Sequence, residues 1–304
     1  MQNNLLFAGI EAGGTGFSLA IASGQPSNII EKTHINTTTP EETRENVLNW
    51  LRGKEFNAIG LASFGPVDLD KDSATYGYIT TTPKPKWGNT DILGWFKEFD
   101  VPKGFDTDVN GAAISETFHG LHKRGPITSC AYITVGTGVG VGVVVNETPI
   151  HGLVHPEGGH TFARILPNDK SEGTCPFHKN CIEGLVSTGA ISKRLNLTND
   201  QLKNVGDEDP VWTTIGHYLA QLCANITLLI SPQVIVLGGG VFNRKILYDI
   251  VRKETINILN GYIKSKYLTI EYIDQYIVQS PFDNNAGLVG SLELARRAIL
   301  NQSN

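Results

Sequence analysis

Apolar runs rich in β-branched residues open the chain and recur between stretches of helical periodicity. The pattern predicts strands over 5–10, 16–23 and 28–35, then a helix over 41–52. Thr39-Pro40-Glu41-Glu42 suits that helix start, with proline just ahead of acidic first-turn residues. A strand over 57–62, a loop over 63–90, a helix over 91–98, a short strand over 101–106 and a helix over 109–122 follow. The second half predicts strands over 129–135 and 139–145, an irregular stretch over 146–181, and helices over 183–194 and 209–230. A strand over 233–237, a helix over 241–259, a strand over 269–278 and a last helix over 286–300 complete it. Both halves begin with a β-hairpin and continue with strands alternating with helices. That pattern reads as an internal duplication of an α/β architecture. The expected division is an N-terminal α/β domain over 1–118 and a C-terminal one over 119–287, with the helix 288–304 packing back on the first.

The two hairpins share their turn chemistry. Gly13-Gly14-Thr15-Gly16 follows the strand that ends at Glu11-Ala12, and Gly136-Thr137-Gly138 follows the strand that ends at Val135. Glycines there let backbone N–H groups approach an anion, and a threonine hydroxyl adds a donor. One such hairpin alone is more often only a tight turn. Two in matched settings suggest half-domains that hold a polyphosphate. The chain contains neither G-x-x-x-x-G-K-[ST] nor G-x-G-x-x-G, which argues against a P-loop NTPase and a dinucleotide fold.

Composition narrows the classes further. The 304 residues suffice for two domains with sizeable cores, and 40% apolar with 18% charged residues fits a globular chain. A net charge of −5 without a long basic run makes nucleic acid an unexpected partner. No apolar stretch is long enough for a membrane span, and Met1-Gln2-Asn3-Asn4 lacks the basic region of a signal peptide. A cytoplasmic location is therefore expected. Cys130 and Cys223 lie in apolar stretches and read as core residues.

Four segments carry candidate chemistry. Phe105 to Ala113 ends a strand and opens a helix. An aspartate there either caps the helix or stands at a ligand-binding strand end, where it could accept a proton from a hydroxyl. Ser63-Phe64-Gly65-Pro66-Val67-Asp68 follows the strand 57–62, and Thr80 to Trp87 is an extended polar loop with an aromatic ring. Together they offer hydroxyls, amides and a ring, which suits a carbohydrate. The stretch His155 to His160 is followed by Cys175-Pro176-Phe177-His178-Lys179-Asn180-Cys181, where two Cys and two His at C-x-x-H-x-x-C spacing read as a tetrahedral zinc site. The alternative is a solvated loop with free thiols. Such a metal would pin the irregular loop 155–181 and position Glu157 and Glu183. Val234 to Val241 reads as strand, triple glycine and helix, either a tight turn or a place where an anionic group meets a helix N-terminus.

Together these residues resemble the ROK family of sugar kinases, and the resemblance runs over nearly the whole chain. It implies two actin-like domains of the hexokinase and Hsp70 type, ribonuclease H-like in architecture, with the active site in the cleft between them. Glu11-Ala12-Gly13-Gly14-Thr15 looks like the family's first phosphate loop and Gly136-Thr137-Gly138-Val139-Gly140 like the second. Gly13, Gly14, Thr15, Thr137, Gly138, Gly238, Gly239 and Gly240 are then expected to bind ATP. Thr107 to Ala113 resembles the catalytic segment, which implies Asp108 as general base. Glu157-Gly158-Gly159-His160 and Cys181-Ile182-Glu183 resemble the segments that supply sugar-binding glutamates and zinc ligands. The sugar set is therefore Gly65, Pro66, Thr82, Asn110, Glu157 and Glu183, and the zinc set is His160, Cys175, His178 and Cys181. The Cys-Pro-Phe-His loop, Glu11 to Thr15, Ser63 to Asp68 and Thr82-Pro83-Lys84 look like the bacterial fructokinase branch. The resemblance thus implies transfer of phosphate from ATP with Mg²⁺ to D-fructose, giving fructose 6-phosphate, in a homodimer carrying structural Zn²⁺. A broader hexokinase acting on glucose or mannose is the alternative, and a non-catalytic sugar sensor the reading from another class. No helix-turn-helix precedes the first strand, so a repressor role is not expected. One position departs from the family: the residue after Gly-Gly-Thr is commonly Lys, and here it is Gly16.

Overall fold

The computed structural model describes residues 5–302. Strands β1 (Leu6–Ala12), β2 (Gly16–Ser23) and β3 (Ile29–Asn36) lead to helix α1 (Pro40–Leu51) and β4 (Ala58–Ser63). A small ribbon of β5 (Tyr78–Ile79) and β6 (Thr90–Asp91), then β7 (Lys103–Thr107) and α2 (Asp108–His119), follow. Next come β8 (Cys130–Val135), β9 (Val139–Val145), β10 (Thr148–Pro149), α3 (Ile182–Val186), α4 (Thr188–Leu195) and α5 (Pro210–Leu229). The chain closes with β11 (Val234–Gly238), α6 (Ile246–Leu259), β12 (Ile277–Gln279) and α7 (Ala286–Gln302). The two large sheets have the orders β3-β2-β1-β4-β7 and β10-β9-β8-β11-β12. Third, second, first, fourth, fifth is the order in both, so the duplication read from the hairpins extends through the sheets.

In the first sheet β1 pairs antiparallel with β2, and β1, β4 and β7 run parallel. Alternation along β1 and β2 sorts the two faces. Ile10, Ala12, Phe17, Leu19 and Ile21 pack with Val47, Leu48 and Leu51 of α1 and with Trp87, Trp95 and Phe96. Phe7, Ala20, Ala22 and Ala58 pack against Leu288, Leu292 and Ala295 of α7. Thr39 caps α1 by accepting from the Glu42 amide at 3.3 Å.

The chain divides into two compact units. One holds the chain up to His119, Gly142–Pro156 and the chain from Asn285; the other holds Gly120–Val141 and Glu157–Asn284. The sequence reading had assigned 142–156 to the second domain. These residues are tied to the first unit by the Val143 N–H, which donates to Asn110 at 3.2 Å, and by His155 Nε2, which accepts from the Val67 N–H at 3.1 Å. Helix α7 packs on β1, β4 and α2.

Four elements differ from the sequence expectation. The helix expected over 91–98 is a 3-10 helix over Leu93–Glu98, entered through Asp91, which accepts from the Gly94 N–H at 2.8 Å. The helix expected over 183–194 breaks at Ser187, which is extended and caps α4 with its hydroxyl. The helix expected from 241 starts as a 3-10 turn at Gly240–Asn243 and becomes α6 only from Ile246. The strand expected over 269–278 is mostly turns, because the edge of β11 offers partners only to Ile277, Val278 and Gln279. Tyr276 is buried there, with its hydroxyl 2.9 Å from that of Thr227.

Candidate active site

In the first unit the register aligns Ala12 with Ser63 and Ser63 with Thr107, so β1, β4 and β7 end side by side. The carboxyl ends of neighbouring parallel strands are where open α/β sheets bind ligands. Glu11 and the Gly13–Thr15 turn leave β1, Gly65 and Pro66 follow β4, and Asp108 follows β7. Asp108 is partly buried and opens α2, with Oδ1 accepting from the Val109 N–H at 2.9 Å. Burial pushes its carboxyl up to about 6, while the amides of Val109 and Asp108 itself hold it down. Glu11 is pushed up to about 8, first by burial and then by the charge of Asp108. Two neighbouring carboxyls of this kind suit proton acceptance by one and cation attraction by the pair.

The Gly13–Thr15 turn is fixed by its carbonyls. The Gly13 N–H donates to Gly16 at 3.0 Å, the Thr37 hydroxyl to the Gly13 carbonyl at 2.7 Å, and the Thr37 N–H to Thr15 at 3.0 Å. Gly14 and Thr15 are exposed. Gly16 is a glycine for a local reason: a Cβ there would run into Cε1 and Nε2 of His34.

Asn110, expected to hold the sugar, is fully buried, and both ends of its amide make bonds within the protein. Its Nδ2 donates to Asp106 at 2.8 Å and its Oδ1 accepts from Val143. Trp87, read as a ring on a sugar-binding loop, is likewise a core residue with no exposed surface. It packs on Phe17 and Phe64 and donates Nε1–H to the Thr38 carbonyl at 3.0 Å. This anchor leaves Thr82 on a loop, partly buried, with its hydroxyl accepting from the Lys84 N–H at 3.3 Å. Pro66 and Thr80 are joined by the Thr80 N–H, which donates to the Pro66 carbonyl at 2.8 Å.

The sequence reading missed the roles of a buried carboxylate, Asp106, and of two histidines near it, His151 and His155. Asp106 accepts from the Thr107 N–H at 2.7 Å, from Asn110, and from His151 Nε2 at 3.0 Å. The bond to Asp106 raises the His151 imidazole, whereas burial lowers that of His155. His155 accepts at Nε2 from the Val67 amide, which fixes that nitrogen as unprotonated. Asp106 lies in the segment Phe105 to Ala113, two residues before Asp108, and that spacing is the available signal.

In the second unit the two glycine turns converge. Gly238 pairs with Thr134 across β11 and β8, and Gly239, at φ 87°, backs onto the carbonyl of Val135. A side chain at Gly239 would be strained and obstructed. The Gly136 N–H donates to Gly138 at 2.9 Å, while the Gly136 carbonyl accepts the Thr188 N–H and hydroxyl, both at 2.8 Å. The exposed Thr137 thus sits beside the N-terminus of α4, a favourable place for an anion. Glu183 lies over Gly138 and accepts from the Val139 N–H at 3.0 Å. Glu157 is exposed and enters the turn Gly158–His160.

The expected metal set is assembled. One ligand atom from each of His160, Cys175, His178 and Cys181 lies within 4.8 Å of all the others. Cys175 Sγ is 3.7 Å from His160 Nδ1 and 3.8 Å from His178 Nδ1, and Cys181 Sγ is 3.6 Å from His160 Nδ1. Tetrahedral zinc, with bonds of about 2.3 Å to sulfur and 2.0–2.1 Å to nitrogen, places such neighbours roughly 3.6 Å apart. Both cysteines are free thiols rather than a disulfide, so the donor set fits zinc.

The ROK family model matches residues 7–298, and the chain belongs to that family. It is 40% identical over 298 residues to the fructokinase of Pediococcus pentosaceus, covering 98% of this chain and 100% of that one. It is also 40% identical over 307 residues to the fructokinase of Zymomonas mobilis subsp. mobilis, covering 98% and 99%. Among solved structures, a ROK family glucokinase from Streptomyces griseus in complex with glucose and AMPPNP superposes with a TM-score of 0.73. It is 21% identical, with 96% of this chain and 99% of that one covered. The fold is therefore the α/β fold of the ROK sugar kinases, actin-like in its paired sheets. Among the described residues no helix is long and apolar enough to cross a membrane.

Proposed function

We propose that the protein is an ATP-dependent sugar kinase that phosphorylates D-fructose to fructose 6-phosphate. The observation that carries the reading is the 40% identity, over nearly the whole length of both chains, to fructokinases. The carboxyl of Asp108, raised to about 6, supports the same chemistry, because a base near the working pH can take the hydroxyl proton as the oxygen attacks the γ-phosphorus.

Thr15, Thr137 and the glycine amides at 13–14, 138 and 238–240 hold the phosphates. Gly65, Pro66, Thr82, Glu157 and Glu183 hold the sugar, and Asn110 acts one step removed by fixing Asp106 and β9. Glu11 and Asp108 would hold the water shell of Mg²⁺, which would supply charge neutralisation at the phosphate oxygens, since Mg²⁺ is commonly held by one or two carboxylates plus substrate phosphates. Zinc held by His160, Cys175, His178 and Cys181 would fix the loop to Cys181, the residue at the N-cap position of α3, the helix that carries Glu183. Exposed Phe162 and Phe177 flank His178, with ring centroids 6.0 and 6.2 Å away, and this apolar surface supports a homodimer. Free thiols at Cys130, Cys175, Cys181 and Cys223 support a cytoplasmic enzyme.

The test is ADP release with Mg-ATP against fructose, glucose, mannose, N-acetylglucosamine and N-acetylmannosamine. Turnover on fructose far above the rest supports the proposal. Comparable rates on several hexoses replace it with a broader hexokinase, and no turnover on any sugar leaves a sugar sensor.

A further inference from the structure

The contact between Gly16 and His34 has a functional side. Ser18 pairs with His34 across β2 and β3 and with Glu11 across β2 and β1, so Glu11, Ser18 and His34 form a polar row on one face of the sheet. The His34 ring leans from that row onto the Gly16 Cα. It thereby fills the space that a side chain at 16 would take, at the edge of the Gly13–Thr15 turn. The imidazole is exposed and, among the described residues, has no hydrogen-bond partner. The turn itself is fixed by Thr37, three residues further along from His34. An uncommitted imidazole is thus held beside a rigid turn with exposed residues at its tip.

We propose that His34 is a nucleotide-binding residue, whose ring N–H donates to a terminal phosphate oxygen of ATP beside the first glycine turn. The inference rests on the kinase reading and deepens it. A glycine at 16 is then the complement of a histidine at 34: the polar donor reaches the turn from the neighbouring strand rather than from the turn itself. The phosphate oxygen is a charged acceptor, which strengthens the bond.

The experiment compares the full chain with His34→Ala, Gly16→Lys and the double variant His34→Ala/Gly16→Lys. Mg-ADP and Mg-ATP-analogue binding are read by calorimetry, KM values for ATP and fructose by ADP release, and folding by circular dichroism. His34→Ala is expected to weaken binding and raise the ATP KM about five- to tenfold, the range for an exposed charge-assisted bond, while the fructose KM stays constant. Gly16→Lys alone should bind nucleotide poorly, because the new side chain meets the His34 ring. The double variant should recover nucleotide binding relative to either single variant. Unchanged nucleotide binding and ATP KM in folded His34→Ala would overturn the proposal. Wild-type protein that binds nucleotide through His34 but phosphorylates no sugar would overturn only the kinase reading. Wild-type protein that binds no nucleotide overturns both.

Discussion

Asp108→Asn tests the chemical step with little structural disturbance. Asparagine keeps the shape of the side chain, and its Oδ1 can still accept the Val109 N–H that Asp108 accepts at 2.9 Å. The variant loses the ability to take a proton, together with the negative charge that Asp108 would offer to Mg²⁺. General-base assistance contributes roughly 10²–10⁴ to rate, so kcat should fall by that factor, about 3–5 kcal/mol of barrier at 1.36 kcal/mol per decade. The fructose KM should change far less, since a group that acts in the transition state leaves ground-state binding nearly intact. The wild-type pH profile gives an independent check. Asp108 is raised to about 6 and must be deprotonated to act, so kcat/KM should be level above that pH and fall as pH drops through about 6. Initial rates of ADP release from pH 5 to 8, for both proteins, measure both effects. A variant that keeps more than a tenth of wild-type kcat, or a wild-type rate that does not decline below pH 6, would refute the assignment.

Three further outcomes are expected. Trp87→Ala removes a fully buried ring and should cost about 3–5 kcal/mol, read as a lower urea midpoint; a loss under 1 kcal/mol would mean the ring is not an anchor. Glu293 is pushed down to about 2 by Arg296 and His119 despite a burial effect that raises it. A depressed carboxylate contributes stability that is present above its unfolded value and lost as pH falls toward the folded one, so stability should decline from about pH 4.5 downward, and Glu293→Gln should flatten that decline in denaturation curves. Metal analysis should find stoichiometric zinc, and chelation should open the chain to protease between Thr161 and Cys181 and raise the fructose KM through Glu183; metal-free protein with unchanged cleavage and KM would separate the cluster from the site.

Much of this was legible in the sequence because it depended on local rules. The hairpins, β4, α5 and α7 follow from apolar period and caps, and the Cys/His cluster from short spacing, since His160, Cys175, His178 and Cys181 meet within one loop system. What the sequence hid depended on partners far along the chain. Trp87 looks like any aromatic on a polar loop, and partners far along the chain such as Phe17 make it core. Asn110 looks like a free amide, and only Val143 and Asp106 show that both its ends are used. The strand expected over 269–278 had the right residues but too short a neighbour, because strand length is set by the partner as much as by propensity. Gly16 makes the same argument at the site. By itself it reads as a missing side chain; with His34 on the adjacent strand it reads as the space the imidazole occupies. A residue's absence at one position and a residue's presence eighteen positions later are then one feature, joined by the register of β2 and β3.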